Sequence, residues 1–538
     1  MKQTTEASRR PRRQQRGDLI VLNLYGSYRQ MGRQQVELLG PIAREMYDLQ
    51  RSDWSALIGG FGAAAKAGDA LLPRFWMAAG PRYEKSGLYD EIAGMALGLG
   101  VSASAGWRGV FGGLGGATTT FLATRTATAD GNAIMGKNSD WPDRYGRRPP
   151  LLTHYHPSNG DLAHIMAGWP LSPLAATGLN EAGLAIGMNF FNADQVLSLG
   201  LPRWPYRRVL QAATTVDEGI RIIQSSPDRG ISGFISMADA GGDIALMECT
   251  PRHCEVFRPE GDWFAQSNHA RTEKMMPHDR GRSLDSFTRR AAMESVLPAR
   301  LGKVTPETAA EIMRDRSNTA FANESCIANA SVFHTVVVHP ASKTLWHSTA
   351  RQPLAPFGEL APFSPGVDAS PAAALPADPR FGTPAMQREA EVVAELRRAV
   401  RLFDEGSVDE AAAIWDRLAG ANEPLVKPHR LAWARARAQW TLGRLQEALD
   451  FLAPLDSDDV PFDVRVNALV AAAAIADRLG DRPRALELYR RADHLFRANP
   501  DYNDGLVAPL KKRIAAGLRS PQTAGPIPST PALQRLPG

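Results

Sequence analysis

From Gly32 to Met46 apolar residues recur at helical spacing, and Tyr89 to Leu99 (YDEIAGMALGL) repeats that spacing with two carboxylates in its first turn, so both read as amphipathic helices. The period shortens near Thr118. TTTFLATRTAT and AIMGKN alternate as strands do, and Asp130-Gly131-Asn132 between them is a hairpin signal. LAIGMNFF, ISMAD, DIALMEC and SVFHTVVV read as further strands, and His154 and His156 share one face of another. Helices fall between them, for example Val216 to Ile223 and Ser286 to Leu297. This mixture predicts a layered α/β fold. Eight prolines from Pro353 to Pro384 break both regular structures and place a linker at 356–384.

Past the linker the pattern is helical and repetitive: Gly406-Ser-Val-Asp-Glu-Ala411, Gly443-Arg-Leu-Gln-Glu-Ala448 and Gly480-Asp-Arg-Pro-Arg-Ala485, with the glycines 37 residues apart. Each glycine suits a left-handed helix end, and each small alanine suits close helix packing. A large residue follows four positions later (Trp415, Leu452, Tyr489). The segment resembles tetratricopeptide repeats, whose usual period is about 34 residues. A plain helical bundle is the other reading.

The chain has 538 residues, 44% of them hydrophobic and 22% charged, enough for a large core and more than one folded unit. Its formal charge of +5 resides in residues 1–17, where Lys2, Arg9, Arg10, Arg12, Arg13 and Arg16 face only Glu6. The remainder is neutral, so the body is not expected to bind nucleic acid, and the basic segment reads as a disordered tail. Cys249, Cys254 and Cys326 lack regular spacing and read as free thiols in a reducing cytoplasm. Neither the two cysteines beside His253 nor the pair His154 and His156 has the further ligands a metal needs; no metal or cofactor is assigned. No apolar run reaches the roughly 18 residues that span a bilayer, and no signal-peptide core is visible, so a cytoplasmic protein without a membrane partner is expected.

The candidate chemistry lies between Gly115 and Trp141. A glycine run leads into a hydroxyl residue at the head of one strand, and the partner strand returns with Lys137, Asn138 and Asp140. If the bond between Ala117 and Thr118 breaks, Thr118 gains a free α-amine with an ordinary pKa of about 7.7–8.0, a base beside its own hydroxyl. One residue then supplies nucleophile and base.

Five more segments follow in order across residues 20–355: Gly26-Ser-Tyr-Arg-Gln-Met-Gly32, Asp90-Glu-Ile-Ala-Gly-Met-Ala-Leu-Gly98, Gly178-Leu-Asn-Glu-Ala-Gly-Leu-Ala-Ile-Gly-Met-Asn189, Gln266-Ser-Asn268-His269 and Ser286-Phe-Thr-Arg289. With the Thr118 segment they resemble the N-terminal nucleophile hydrolases of the isopenicillin N acyltransferase group (peptidase family C45), distant relatives of choloylglycine hydrolases and penicillin V acylases. The resemblance implies a four-layer αββα sandwich that self-cleaves and then hydrolyses or transfers an acyl group through an acyl-enzyme. The family's nucleophile is cysteine. Counting back from Ala-Thr-Ala-Asp-Gly and Phe121 puts Thr118 in that slot, with Ala117 the alternative if the register slips by one, which would leave no nucleophile.

The resemblance also implies roles. Asp140 would bond the free amine, Lys137 stands where the bile-salt relatives have arginine, and Asn189 and Asn268 would surround the oxyanion. Arg289 matches a family arginine on a helix, with a surface salt bridge as the other reading. Trp141, Trp169 and Phe190, with Phe191 and Trp263, are candidates for an acyl pocket or for simple core. The expected substrates are acyl amides, peptides or acyl thioesters. The alternative is an idle shell whose repeats dock a protein partner or a second copy. The division expected is a basic tail at 1–17, a helical N-terminal part at 18–117, the hydrolase core at 118–355, the linker, repeats at 385–517 and a disordered tail at 518–538.

Overall fold

The computed structural model describes residues 10–59, 63–111, 116–141, 143–146, 148–174, 177–195, 203–280, 284–317, 326–367, 370–421, 426–499, 504–523 and 525. Residues 1–9, the end of the chain from 526 and the glycine run before Gly116 lie outside them. The chain divides into two compact units. The first comprises Met1–Asp279, Arg289–Asp315 and Ser331–Phe381, the second Arg280–Thr288, Arg316–Ala330 and Gly382–Gly538.

The first unit is built on strands β1 (Arg12–Arg16), β2 (Leu19–Gly26), β3 (Ala117–Ala123), β4 (Ile134–Asp140), β5 (Leu151–Pro157), β6 (His164–Gly168), β7 (Thr177–Asn180) and β8 (Ala185–Phe190). There follow β9 (Gly233–Ala238), β10 (Ile244–Cys249), β11 (Cys254–Phe257), β12 (Trp263–Gln266), β13 (Val332–His339), β14 (Thr344–Ser348) and β15 (Leu360–Phe363). One sheet has the order β1-β2-β5-β6-β7-β8-β9-β10-β11 and the other β12-β3-β4-β13-β14-β15. Among the described residues, β2–β5 is the one parallel pairing between strands.

Alternation along the strands explains the layers. In β2, Leu19 and Val21 face a core that also holds Leu122, Met135, Val336 and Leu345 of the other sheet. Ile20, Leu22 and Leu24 face the opposite way, into a core with helical residues Met31, Ile92 and Met95. On the far side of the second sheet, helix Pro306–Met313 packs on β4 and β13. There Asn138 Nδ2 donates to the Met313 carbonyl at 2.9 Å, and Asn138 Oδ1 accepts from Thr335 Oγ1 at 2.7 Å. The order is therefore helices, sheet, sheet, helix. Among the helices of the first layer, Glu91 forms a fully buried ion pair with Arg207.

Three expectations are corrected. The basic tail is not wholly disordered, because Arg12–Arg16 forms an edge strand antiparallel to β2. The segment 18–117 is not simply helical, since it opens with β2. The proline-rich linker contributes β15 to the second sheet, paired with β14. The β3–β4 pair is antiparallel as expected, but residues 124–133 between the strands include a 3-10 turn at Arg125–Ala127. Cys249 and Cys254 are free thiols facing each other across β10 and β11. Among the described residues no helix is long and apolar enough to cross a membrane.

In the second unit helices pack in succession: Pro384–Asp404 on Val408–Gly420, Pro428–Thr441 on Leu445–Leu452, and Phe462–Arg478 on Arg482–Ala498. Each pair turns at a left-handed glycine, Gly406, Gly443 or Gly480. Ala411, Ala448 and Ala485 are fully buried, and Trp415, Leu452 and Tyr489 lie in the interior with them. Helix Asp504–Arg519 follows and takes in residues 518 and 519 of the expected disordered tail, most of which, from 526, lies outside the described residues.

Candidate active site

The site grows from one face of the sandwich. Thr118 and Thr120 on β3, Lys137 and Ser139 on β4, and Gly187 and Asn189 on β8 fall on the strand faces that elsewhere supply Leu122, Met135 and Ala185 to the core between the sheets. Thr118 is paired with Ser139, and Ser139 with His334 of β13 across a register irregularity at Val332/His334. One end of an apolar sandwich is thus lined with polar side chains.

The Thr118 backbone is held from two directions. Its N–H donates to Asn268 Oδ1 at 2.8 Å, and its carbonyl accepts from Arg289 Nη1 at 2.8 Å. Arg289 also donates to Thr119 Oγ1 at 2.9 Å and to Asn268 Oδ1 at 3.1 Å, and its Nη1 lies 3.9 Å from Asp140 Oδ2. Asn268 Nδ2 in turn donates to the Phe190 carbonyl at 2.8 Å. Gly116 precedes because a Cβ there would lie 2.6 Å from the Asp140 carbonyl oxygen.

Above this network opens a pocket. Thr118, Lys137, Ser139, Asp140 and His334 form its polar floor, and Trp141, Trp169, Leu174, Met188, Phe190 and Trp204 are among its apolar walls. Lys137 is 1% exposed and its Nζ donates to Ser139 Oγ at 2.6 Å. Burial pushes the Lys137 ammonium down to about 7, against the pull of the Asp140 carboxylate. His334 is held neutral well below imidazole's ordinary range by burial, with His347 and Lys137 adding to the effect.

The structure brings Thr118, Lys137, Asp140, Asn268 and Arg289 together, and Trp141, Trp169 and Phe190 line the pocket. Arg289 is 1% exposed, which removes the surface-salt-bridge reading. Asn189 does not present an oxyanion donor: its Nδ2 donates to the Gln266 and Ser267 carbonyls at 3.2 and 2.9 Å, and its Oδ1 accepts from Thr120 Oγ1 at 2.8 Å. It ties β3 and β8 to the segment after β12. Asn268 likewise acts here as the acceptor that holds the Thr118 nitrogen. Phe191 packs against Phe234 in the core, and Trp263 sits opposite Ala123 on an edge strand, so neither lines the pocket. Two residues were missed. Ser139 was readable, since it alternates with Lys137 on one strand face; His334 was not, because its place depends on a tertiary strand pairing. Among the described residues no three His, Cys, Asp or Glu side chains gather as a metal site.

Residues 126–353 match the family model for acyl-coenzyme A:6-aminopenicillanic acid acyl-transferase. The matched span contains Lys137, Asp140, Asn189, Asn268 and Arg289, while Thr118 precedes it and the helical pairs follow it. No curated protein matches the chain. Among solved structures, the Caenorhabditis elegans ortholog of N-acylethanolamine-hydrolyzing acid amidase is similar at 13% identity, over 41% of this chain and 93% of its own, with a TM-score of 0.32. An arginine-to-leucine variant of the conjugated bile acid hydrolase from Clostridium perfringens is similar at 13% identity, over 47% of this chain and 99% of its own, with a TM-score of 0.32. A cysteine-to-alanine mutant of the same hydrolase gives 13%, 47%, 99% and 0.28.

Proposed function

We propose that the first unit is an N-terminal nucleophile amidohydrolase or acyltransferase that uses Thr118 after cleavage of the Ala117–Thr118 bond. The observation that carries this reading is the placement of Thr118 in the polar floor of an otherwise apolar pocket, its nitrogen fixed by Asn268 and its carbonyl by Arg289. Once freed, the Thr118 amine accepts the proton of its own hydroxyl as Oγ1 adds to the substrate carbonyl. The leaving amine or thiol takes that proton, and water or an acceptor amine resolves the ester. Asn268 keeps the amine aimed, and Asp140, beside Arg289, offers the carboxylate that stabilises its charged form. The tryptophan-lined walls suit an apolar acyl chain, so the substrate class is an N-acyl amide or acyl thioester.

The test is a panel of N-acyl amino acids and acyl thioesters, with peptide mapping for a trapped acyl group. The expected result is an ester on Thr118, no turnover by Thr118→Ala, and retained turnover by Thr118→Cys, whose thiol ionises more readily. Full activity in Thr118→Ala would overturn the reading and leave the helical pairs as a docking scaffold.

A further inference from the structure

In the continuous chain the Thr118 nitrogen is an amide that donates to Asn268, so it is no base. The first step of self-cleavage therefore needs a proton acceptor from elsewhere. Ser139 lies directly opposite Thr118 across β3 and β4. Side chains of such a pair share one face with Cβ atoms about 4.5–5.5 Å apart, within reach of two hydroxyls. Behind Ser139, Lys137 Nζ sits 2.6 Å from its Oγ, and all three side chains line the pocket floor.

We propose that Lys137, acting through Ser139, accepts the Thr118 hydroxyl proton and so drives the chain's own cleavage at Ala117–Thr118. The inference rests on the reading of Thr118 as nucleophile and adds what activates it. Thr118 Oγ1 bonds to the Ala117 carbonyl carbon while its proton passes to Ser139 Oγ and the Ser139 proton passes to the Lys137 Nζ lone pair. The Ala117–Thr118 C–N bond then breaks, and the nitrogen takes the proton back from Lys137 by the same route. Water hydrolyses the resulting ester, which frees the Ala117 carboxylate and the Thr118 hydroxyl and amine.

The surroundings favour the neutral amine. Lys137 is buried, and its stem passes so close to β8 that a Cβ on Gly187 would lie 3.2 Å from its Cδ. The charged or titratable neighbours are Asp140 on its own strand, which favours the ammonium, and His334 on β13, which is neutral. Arg289 on helix Leu284–Val296 draws on Asp140 from the other side at 3.9 Å. Burial dominates, and the Lys137 pKa of about 7 makes half the molecules competent near neutrality.

The test follows the cleavage rate of freshly made full-length chain against pH, by gel and intact mass. Wild type is expected to cleave with a rate that rises about tenfold per pH unit below 7 and levels above it. Lys137→Met and Lys137→Arg are expected to stay intact, the second because guanidinium cannot give up its proton. Ser139→Ala should slow cleavage at least tenfold, and Lys137→Met should melt no lower than wild type, which a merely structural lysine would not allow. Cleavage at the wild-type rate and with the wild-type pH profile in Lys137→Met or Ser139→Ala overturns this inference alone. A wild-type chain that never cleaves, or a Thr118→Ala chain that does, overturns the underlying reading and this one with it. If a Lys137 variant does not fold, the wild-type pH profile and Ser139→Ala decide.

Discussion

At the scale of single residues, Arg289 binds the site together, since one guanidinium serves the Thr118 carbonyl, the Thr119 hydroxyl and the Asn268 amide oxygen. Arg289→Met removes the guanidinium donor from those buried acceptors, and is expected to lower stability by about 2–4 kcal/mol in urea unfolding. Arg289→Lys should recover less than half of the loss, because an ammonium cannot reproduce the planar fork. An Arg289→Met protein as stable as wild type would refute the bracing role. The motif made Arg289 visible in the sequence, but its burial was not, because the helix reads the same whether it faces solvent or the sheet. Asn189 shows the converse. Its motif position suggested an oxyanion donor, while both ends of its amide are taken up by backbone and Thr120.

At the scale of elements, periodicity carried what it could. The helix at 88–99 and the strands at 117–123, 134–140, 185–190 and 332–339 follow their hydrophobic pattern. Strand β1 escaped it because Arg-Arg-Gln-Gln-Arg has no apolar face; the strand is held by backbone pairing to β2, and its charges suit an edge. Strand β15 escaped because Pro362 argues against a strand, yet an edge tolerates the missing N–H. In the helical pairs the glycines are required by conformation, not by space. A Cβ on Gly443 meets nothing within 4 Å, while its φ is +76°. Gly443→Ala should therefore cost about 1 kcal/mol in denaturant unfolding, with Gly406→Ala and Gly480→Ala alike. A neutral effect at all three would contradict the left-handed turns.

For the whole molecule, several histidines are buried in neutral form, and that sets a pH limit. Burial pushes His154 and His164 down to about 3 and His347 to about 4, from an ordinary 6.5. The unfolded chain takes up protons that the folded chain refuses, so their contribution is full above pH 6.5 and is lost as pH falls toward 4. Each contributes up to about 1.4 kcal/mol per pH unit in that window. Urea midpoints should fall steadily below pH 6.5, and less steeply in His164→Phe, whose ring can keep the stack on Tyr155. A flat midpoint from pH 6.5 to 4.5 would contradict neutral burial. The change from mixed to repetitive helical pattern was legible, but the assignment of Arg280–Thr288 and Arg316–Ala330 to the second unit was not, and the union of β3, β4, β8 and β13 around Thr118 depends on pairings that no local pattern encodes. The most direct measurement of the central claim is N-terminal sequencing and intact mass of the purified protein. The account predicts chains of 117 and 421 residues, the longer one starting at Thr118. A single chain of 58.4 kDa that stays whole through pH 8 would contradict it.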